Sequence, residues 1–323
     1  MRLDFNFFKD KNILVTGASG FIGTNLVEKF AKNNIKIKGT YFNHKPSYIH
    51  QNIEYIKADL TNREICQSIS EEIDYIFMCA ANSSGAAVME KTPLAHLTPN
   101  LIMNAYMLEA AYAQNVSKFC FISSNTVYPV TEDAVSENDA NYNFFEKYFI
   151  VGWMKQFSEV MCDMYSSKIK KPMNTMVIRP GNLYGPYDKY TWNESKVVAA
   201  LIRRAVEKQN PFEVWGDGLQ TRSFLFVEDC VTATTRLMRS EFRGPVNIGS
   251  EEMISINDLS KLVIGVSGKR LSIDNIPGPQ GVRGRNSDNR LIEEKLGWSP
   301  SYTLKQGLEA TYPWISGLVH AAS

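Results

Sequence analysis

Two sets of residues have the type and spacing to do chemistry. In the first, Leu14-Val15-Thr16-Gly17-Ala18-Ser19-Gly20-Phe21-Ile22-Gly23 runs from a β-rich segment through a glycine-punctuated turn into a helical pattern. Small residues allow a tight turn and close approach of backbone to a pyrophosphate, and the N–H groups and dipole of a helix N-terminus favour its negative charge. Gly17, Ser19, Gly20, Phe21 and Ile22 are therefore expected to hold a dinucleotide, NAD or NADP. The end of the second strand should choose between the two, because a carboxylate there holds ribose hydroxyls and a basic residue accepts the extra phosphate. Thr40-Tyr41-Phe42-Asn43-His44-Lys45 offers Tyr41 and no carboxylate, which leans toward NADP unless Lys45 is only a solvated loop residue. Asp59, followed by Leu60, is placed either to reach the adenine amino group or to cap the next helix. The second set is Arg222, Arg283 and Arg285. A planar guanidinium can bridge two phosphate oxygens, which suits a diphosphate, and the competing reading pairs these arginines with Asp217 or Asp288. Trp215 either flanks a base or packs in a core.

These groups need elements to carry them. Short apolar runs over 12–16, 35–41, 53–57, 75–80, 119–123 and 175–179 alternate with helical spacing over 21–32, 97–113 and roughly 144–165. That alternation predicts an α/β fold: a doubly wound, Rossmann-type parallel sheet of six strands with helices on both faces. Pro180, Gly181, Gly185 and Pro186 mark a departure from the sheet into a smaller α+β lobe, with a helix expected over 192–204. Residues 276–289 hold two prolines, three glycines and two arginines and read as an ordered loop at a ligand.

Composition excludes several classes of function. With 35 basic and 34 acidic residues in 323, the net charge of +1 creates no field toward nucleic acid or an anionic membrane. No stretch approaches the roughly 18 to 20 apolar residues of a membrane span. The N-terminus lacks a secretory apolar run, so a cytoplasmic protein is expected. Cys66, Cys79, Cys120, Cys162 and Cys230 are widely spaced and read as reduced thiols, mostly buried, with no metal site. His44 and His96 read as surface or capping residues. The cluster Tyr142, Phe144, Phe145, Tyr148 and Phe149 reads as core or interface packing.

The glycine turn, Asp59-Leu60, Ala80-Ala81-Asn82 and Ser123-Ser124-Asn125-Thr126-Val127-Tyr128-Pro129 together resemble, in order, the extended short-chain dehydrogenase/reductases, the NAD-dependent nucleotide-sugar epimerases and dehydratases. The resemblance covers nearly the whole chain. It implies that Tyr41, Asp59, Leu60, Ala80 and Ala81 line the cofactor, with residues 1–180 as the dinucleotide-binding domain and 181–323 as the substrate lobe. It also implies that a segment near 222–249 returns to the first domain, and that two helices per subunit pair into a homodimer. In that family a Ser or Thr, a Tyr and a Lys surround the sugar. The Tyr exchanges a proton with the sugar hydroxyl while hydride passes to or from the nicotinamide, and the Lys holds the ribose and lowers the Tyr pKa. Here Ser124 and Lys155 take the outer positions, but Val151 stands where the tyrosine belongs.

The stretches 215–224, 245–250 and 276–289 resemble the family's GDP-mannose 3,5-epimerases, and Asn182-Leu183-Tyr184-Gly185-Pro186-Tyr187-Asp188 resembles its GDP-fucose synthases. A GDP-sugar substrate is thereby implied, held by Asn182, Lys196, Trp215, Arg222, Arg283 and Arg285. The Cys-Lys acid/base pair of the 3,5-epimerases falls on Thr126 and Lys196. A threonine hydroxyl is far less acidic than a thiol, so the resemblance predicts the ligand better than the two-proton chemistry. Three accounts of the missing tyrosine stay open. Tyr148, Thr126, Tyr184 or Lys196 carries the proton, or Ser124 and water exchange it more slowly, or turnover has lapsed and nucleotide-sugar binding remains.

Overall fold

The structure, a computed structural model, describes residues 4–82, 92–131, 133–192, 194–278 and 286–322. Its main sheet is built from β1 (Ile13–Thr16), β2 (Ile37–Tyr41), β3 (Ile53–Lys57), β4 (Tyr75–Met78), β5 (Lys118–Ile122), β7 (Asn174–Pro180) and β11 (Pro245–Ile248). The strands lie in the order β11-β7-β5-β4-β1-β2-β3, and every neighbouring pair is parallel. Strands β1, β4, β5 and β7 are buried along their whole length, which is why their apolar residues are consecutive (13–15, 75–78, 119–122 and 176–178) rather than alternating.

Helices cover both faces. On one, α1 (Phe21–Lys32) and α6 (Val227–Arg239) contribute Leu26, Phe30, Val231 and Leu237 to the core. On the other, α2 (Arg63–Ile69), α3 (Thr98–Ala113) and α4 (Phe149–Asp163) contribute Cys66, Met107, Leu108 and Cys162. The winding reverses between β1 and β4, and ligands of such sheets bind in the crevice beyond the strand ends at that reversal. The Thr16 hydroxyl ties the two strand ends together, accepting the Cys79 N–H at 3.1 Å and the Ala80 N–H at 3.2 Å.

A second core lies among α5 (Val197–Val206), α7 (Ile256–Ser267) and α9 (Leu304–Ala322), around Leu201, Ile202, Phe212, Leu259 and Leu308. It is roofed by the sheet of β8 (Asn182–Tyr184), β10 (Thr221–Phe226) and β12 (Met253–Ser255), and by the parallel pair β9 (Phe212–Trp215) and β13 (Ile273–Ile276). The short parallel pair β6 (Ala134–Val135) and β14 (Asn286–Ser287) ties the loop after β5 to the chain entering α8 (Arg290–Leu296), which packs beside β11 with Ile292 in the first core.

The sheet has seven strands rather than the six expected, because α6 packs on β5 and β7 and carries 245–248 back to the edge beside β7. The helix expected from 192 begins at Val197, with Lys196 as its N-cap residue, and that expected from 144 begins at Phe149 after one tight 3₁₀ turn. All five cysteines are free, and all but Cys79 are buried. Among the described residues, no helix is long and apolar enough to cross a membrane, and no cluster of metal-ligating side chains occurs.

Candidate active site

The glycine turn is set by close backbone approach. Gly17 has φ +63°, and a Cβ there would lie 2.7 Å from the Ala80 Cα. A Cβ on Gly23 would lie 2.2 Å from the Gly17 carbonyl oxygen, so α1 abuts the turn with no room for a side chain. Gly20 caps α1 without any side-chain hydrogen bond, which leaves the first-turn N–H groups to a ligand. Ser19, Phe21 and Ile22 lie half-buried around it. This cradle fits a dinucleotide pyrophosphate. Tyr41 ends β2 half-buried, and Ala80 and Ala81 follow β4 across the crevice.

Asp59 does not cap the next helix. Its carboxylate accepts the Thr61 N–H at 3.0 Å and the Thr61 hydroxyl at 2.7 Å, while the Asn62 side chain caps α2 by accepting the Ile65 N–H. Leu60 beside it is buried. His96, expected as a surface or capping residue, is buried at the end of the turn that leads into α3, with its Nδ1 3.2 Å from the Asn82 carbonyl oxygen.

Beyond β5, Ser124 is extended and its hydroxyl accepts the Thr126 N–H at 3.2 Å. The Thr126 hydroxyl is buried with no hydrogen-bond partner among the described residues. Gly152 lets α4 press against this loop, since a Cβ there would lie 2.8 Å from the Phe144 ring and 3.0 Å from the Thr126 carbonyl oxygen. Val151 and Lys155 lie one turn apart on that helix, both half-buried. Lys155 donates to the Ile122 carbonyl oxygen at 2.7 Å and lies 4.8 Å from the Phe121 ring centre. Burial pulls its pKa down to about 8, partly opposed by Glu159 one turn on. Glu159 is fixed in turn by a buried bidentate pair with Arg179, and by the Ser123 hydroxyl.

Two of the candidate proton carriers separate here. Tyr184 is withdrawn: it is buried in the second core, and its hydroxyl donates to the Leu304 carbonyl oxygen at 3.0 Å. Tyr148 lies just ahead of α4 and is near enough to Arg222 for the two to interact electrostatically.

In the second lobe, Asn182 donates to the Ser223 carbonyl oxygen at 3.0 Å. The Lys196 ammonium is 3.8 Å from buried Asp188 and 5.6 Å from the ring centre of Phe21, the first residue of α1, which brings it to the glycine turn. Trp215 is half exposed at the end of β9. Arg222 is half-buried, and its guanidinium donates to the Thr221 carbonyl oxygen at 2.7 Å. Asp288 is taken by Arg290, so it is not the partner of Arg222. Arg283 and Arg285 lie outside the described residues. Sequence reasoning missed Arg204, a buried guanidinium on α5 with no carboxylate within ion-pair distance among the described residues. Its only signal, a second arginine beside Arg203 on an amphipathic helix, resembles an ordinary solvated pair.

A profile of the NAD dependent epimerase/dehydratase family matches residues 13–249. The chain is 36% identical over 312 residues to the GDP-mannose 3,5-epimerase of Arabidopsis thaliana, covering 94% of this chain and 81% of that protein. It is 29% identical over 318 residues to a GDP-L-fucose synthase of Sinorhizobium fredii, covering 94% of each. Among solved structures it is similar to the UDP-glucuronic acid 4-epimerase of Bacillus cereus in complex with UDP-glucuronic acid and NAD. There the TM-score is 0.82 at 26% identity, covering 95% of this chain and 99% of that one.

Proposed function

Because the chain belongs to the NAD-dependent epimerase/dehydratase family, we propose that it oxidises or reduces C4 of a GDP-linked hexose or heptose, in the synthesis of surface-polysaccharide precursors in the cytoplasm. The observation that carries the choice of ligand is the pair of guanidiniums in the substrate lobe, Arg204 and Arg222. Burial lowers the pKa of both, and among the described residues neither has a carboxylate within ion-pair distance. A sugar nucleotide's diphosphate supplies the anion they lack. NAD, when bound in the glycine cradle, supplies the acceptor or donor of hydride. Ser124 polarises the C4 oxygen, and Lys155 orients the ribose from α4. Asn182, Lys196 and Trp215 complete the substrate side, together with Arg283 and Arg285.

Valine at 151 has no proton to exchange, so another group must move the hydroxyl proton. The unpartnered, buried Thr126 hydroxyl beside Ser124, Tyr148 ahead of the helix, and Lys196 at the turn are the groups available. Without the tyrosine, a single oxidation or reduction fits better than reversible epimerisation. General acid-base help is worth only about 10² to 10⁴-fold, so turnover survives its weakening. The same valine supports a second reading, a nucleotide-sugar binding or regulatory protein without turnover.

The chain acts as a homodimer in this proposal. Phe149, Trp153, Phe157 and Val160 form an exposed apolar stripe along α4, at the three- and four-residue spacing of one helix face.

The test is the absorbance of the purified protein in the reduced-nicotinamide band, before and after stoichiometric addition of several GDP-sugars. A change with one sugar establishes oxidation or reduction despite Val151. Binding with neither a spectral change nor a product would replace the enzyme with the binding protein.

A further inference from the structure

Lys118 and Asn174 open β5 and β7 at the end of the sheet opposite the crevice, and both are more than nine-tenths buried. They line a cleft of about 490 Å³, a volume typical of small-molecule sites, with Tyr112, Pro172 and Met173 as apolar walls. The Lys118 ammonium donates to the Ser240 carbonyl oxygen and to the Glu241 carboxylate, each at 2.8 Å, and lies 5.4 Å from the Phe7 ring centre. The second Glu241 oxygen accepts the Asn174 side-chain N–H at 3.1 Å, which fixes the donor end of that amide. Its other end, the Asn174 Oδ1, is buried with no hydrogen-bond partner among the described residues. Exposed Lys171 and Arg243 stand at the rim.

Glu241, on the turn between α6 and β11, does not belong to this interior. Its side chain is 79% exposed against 9% for that of Lys118, so a carboxylate reaching in from solvent neutralises the buried ammonium. Such a carboxylate returns to water at little cost if another anion replaces it beside the ammonium. One carboxylate also leaves the cleft's three cations under-neutralised, whereas a phosphate monoester brings a charge of about −1.5 to −2 and three acceptor oxygens. The orphaned Asn174 Oδ1 calls for a donor, which a hydroxyl supplies. We infer that this cleft is a second binding site, for a hydroxyl-bearing phosphate monoester of the hexose phosphate class. The phosphate takes the place of the Glu241 carboxylate between Lys118 and the Asn174 N–H, under Arg243 and Lys171, and a sugar hydroxyl donates to Asn174 Oδ1. Glu241 is the built-in occupant that the ligand displaces. The whole of β5 separates this site from the Ile122 carbonyl that Lys155 holds, so it is distinct from the crevice.

The probes are glucose 1-phosphate and inorganic phosphate, titrated calorimetrically into the native protein, Glu241→Gln, Lys118→Met and Asn174→Leu. Fluorescence titration with NADH verifies that each variant is folded, since these residues lie at the far end of the sheet from the glycine turn. Glu241→Gln removes the competing charge and should bind glucose 1-phosphate about tenfold more tightly than the native protein. Loss of a charge-assisted contact should weaken binding about ten- to a hundredfold in Lys118→Met, and loss of the amide about three- to tenfold in Asn174→Leu. Inorganic phosphate, which carries no sugar hydroxyl, should bind the native protein about tenfold more weakly than glucose 1-phosphate. Equal affinity for the two probes overturns the assignment to an ester in favour of free phosphate. Glu241→Gln binding no more tightly than the native protein overturns the displacement. Affinity unchanged in both Lys118→Met and Glu241→Gln puts the ligand elsewhere and overturns the site. So does an absence of binding up to about 1 mM in both the native protein and Glu241→Gln. If Lys118→Met fails to bind NADH, the other two variants decide.

Discussion

Arg179→Met should remove a large part of the stability of the sheet beneath the crevice. Arg179 and Glu159 are 3% and 7% exposed. The guanidinium spends Nε and one amino group on the Glu159 carboxylate, at 3.0 and 2.6 Å. Its other amino group donates to the Tyr128 hydroxyl and to the Glu137 carbonyl oxygen, each at 2.9 Å. Methionine fills similar volume but leaves the Glu159 carboxylate buried with only the Ser123 hydroxyl, and breaking one side of such a pair costs about 3 to 5 kcal/mol. Against a typical domain stability of about 5 to 15 kcal/mol, that is about a fifth or more of the total. Urea unfolding followed by circular dichroism reads the loss directly. Adding Glu159→Leu removes the orphaned charge, and the double variant should regain most of the loss, since apolar replacement of a whole buried pair is often near neutral. A single-variant loss below about 1 kcal/mol, or a double variant less stable than the single, would refute the reading of the pair as a buried stabilising contact between α4 and β7.

Further outcomes are expected elsewhere. Lys155 titrates near 8 in the fold and near 10.5 when unfolded, so from pH 10.5 down to 8 the unfolded chain increasingly holds a proton that the fold lacks. Stability should therefore rise with pH across that window and stay flat below 8, by about 3 kcal/mol at most. Unfolding at pH 7 and pH 10 checks this, and Lys155→Met sharing the native slope would contradict it. Gly23→Ala places a methyl against the Gly17 carbonyl oxygen, and fluorescence titration should show NADH binding weakened at least about tenfold, or the fold lost. Val151→Tyr should raise turnover on the identified GDP-sugar if the standard mechanism is merely handicapped, whereas a fall would mean that the site is rebuilt around valine. Trp153→Glu with Phe157→Glu should convert a dimer to monomers in sedimentation, and an unchanged state would remove the α4 stripe as the interface.

The local determinants were legible in the residues. Gly17 at φ +63° and Gly23 against the turn leave no other residue type room, so a strand, a glycine turn and a helix over 21–32 could be read directly from spacing. The central strands buried on both faces announce themselves by consecutive apolar residues, as in Phe119–Ile122, and Lys155 could be placed from its resemblance to a known helix pattern. What escaped depended on residues distant in the chain. Asp59 and Asn62 are equally good caps on paper, and the backbone path decided that Asn62 caps α2 while Asp59 holds Thr61. The seventh strand is only four residues long, and it exists because α6 lands on β5 and β7 and leaves a parallel edge open beside β7. Tyr184 offers a phenol on a promising loop, yet packing turned it into the second core. Arg204 is the sharpest case. Periodicity alone cannot tell a solvated arginine from a desolvated one, because the difference lies in two tryptophans delivered by separate loops. Composition and period determine which elements form and which faces are apolar, whereas burial of a charge is a sum over neighbours that only the folded chain brings together.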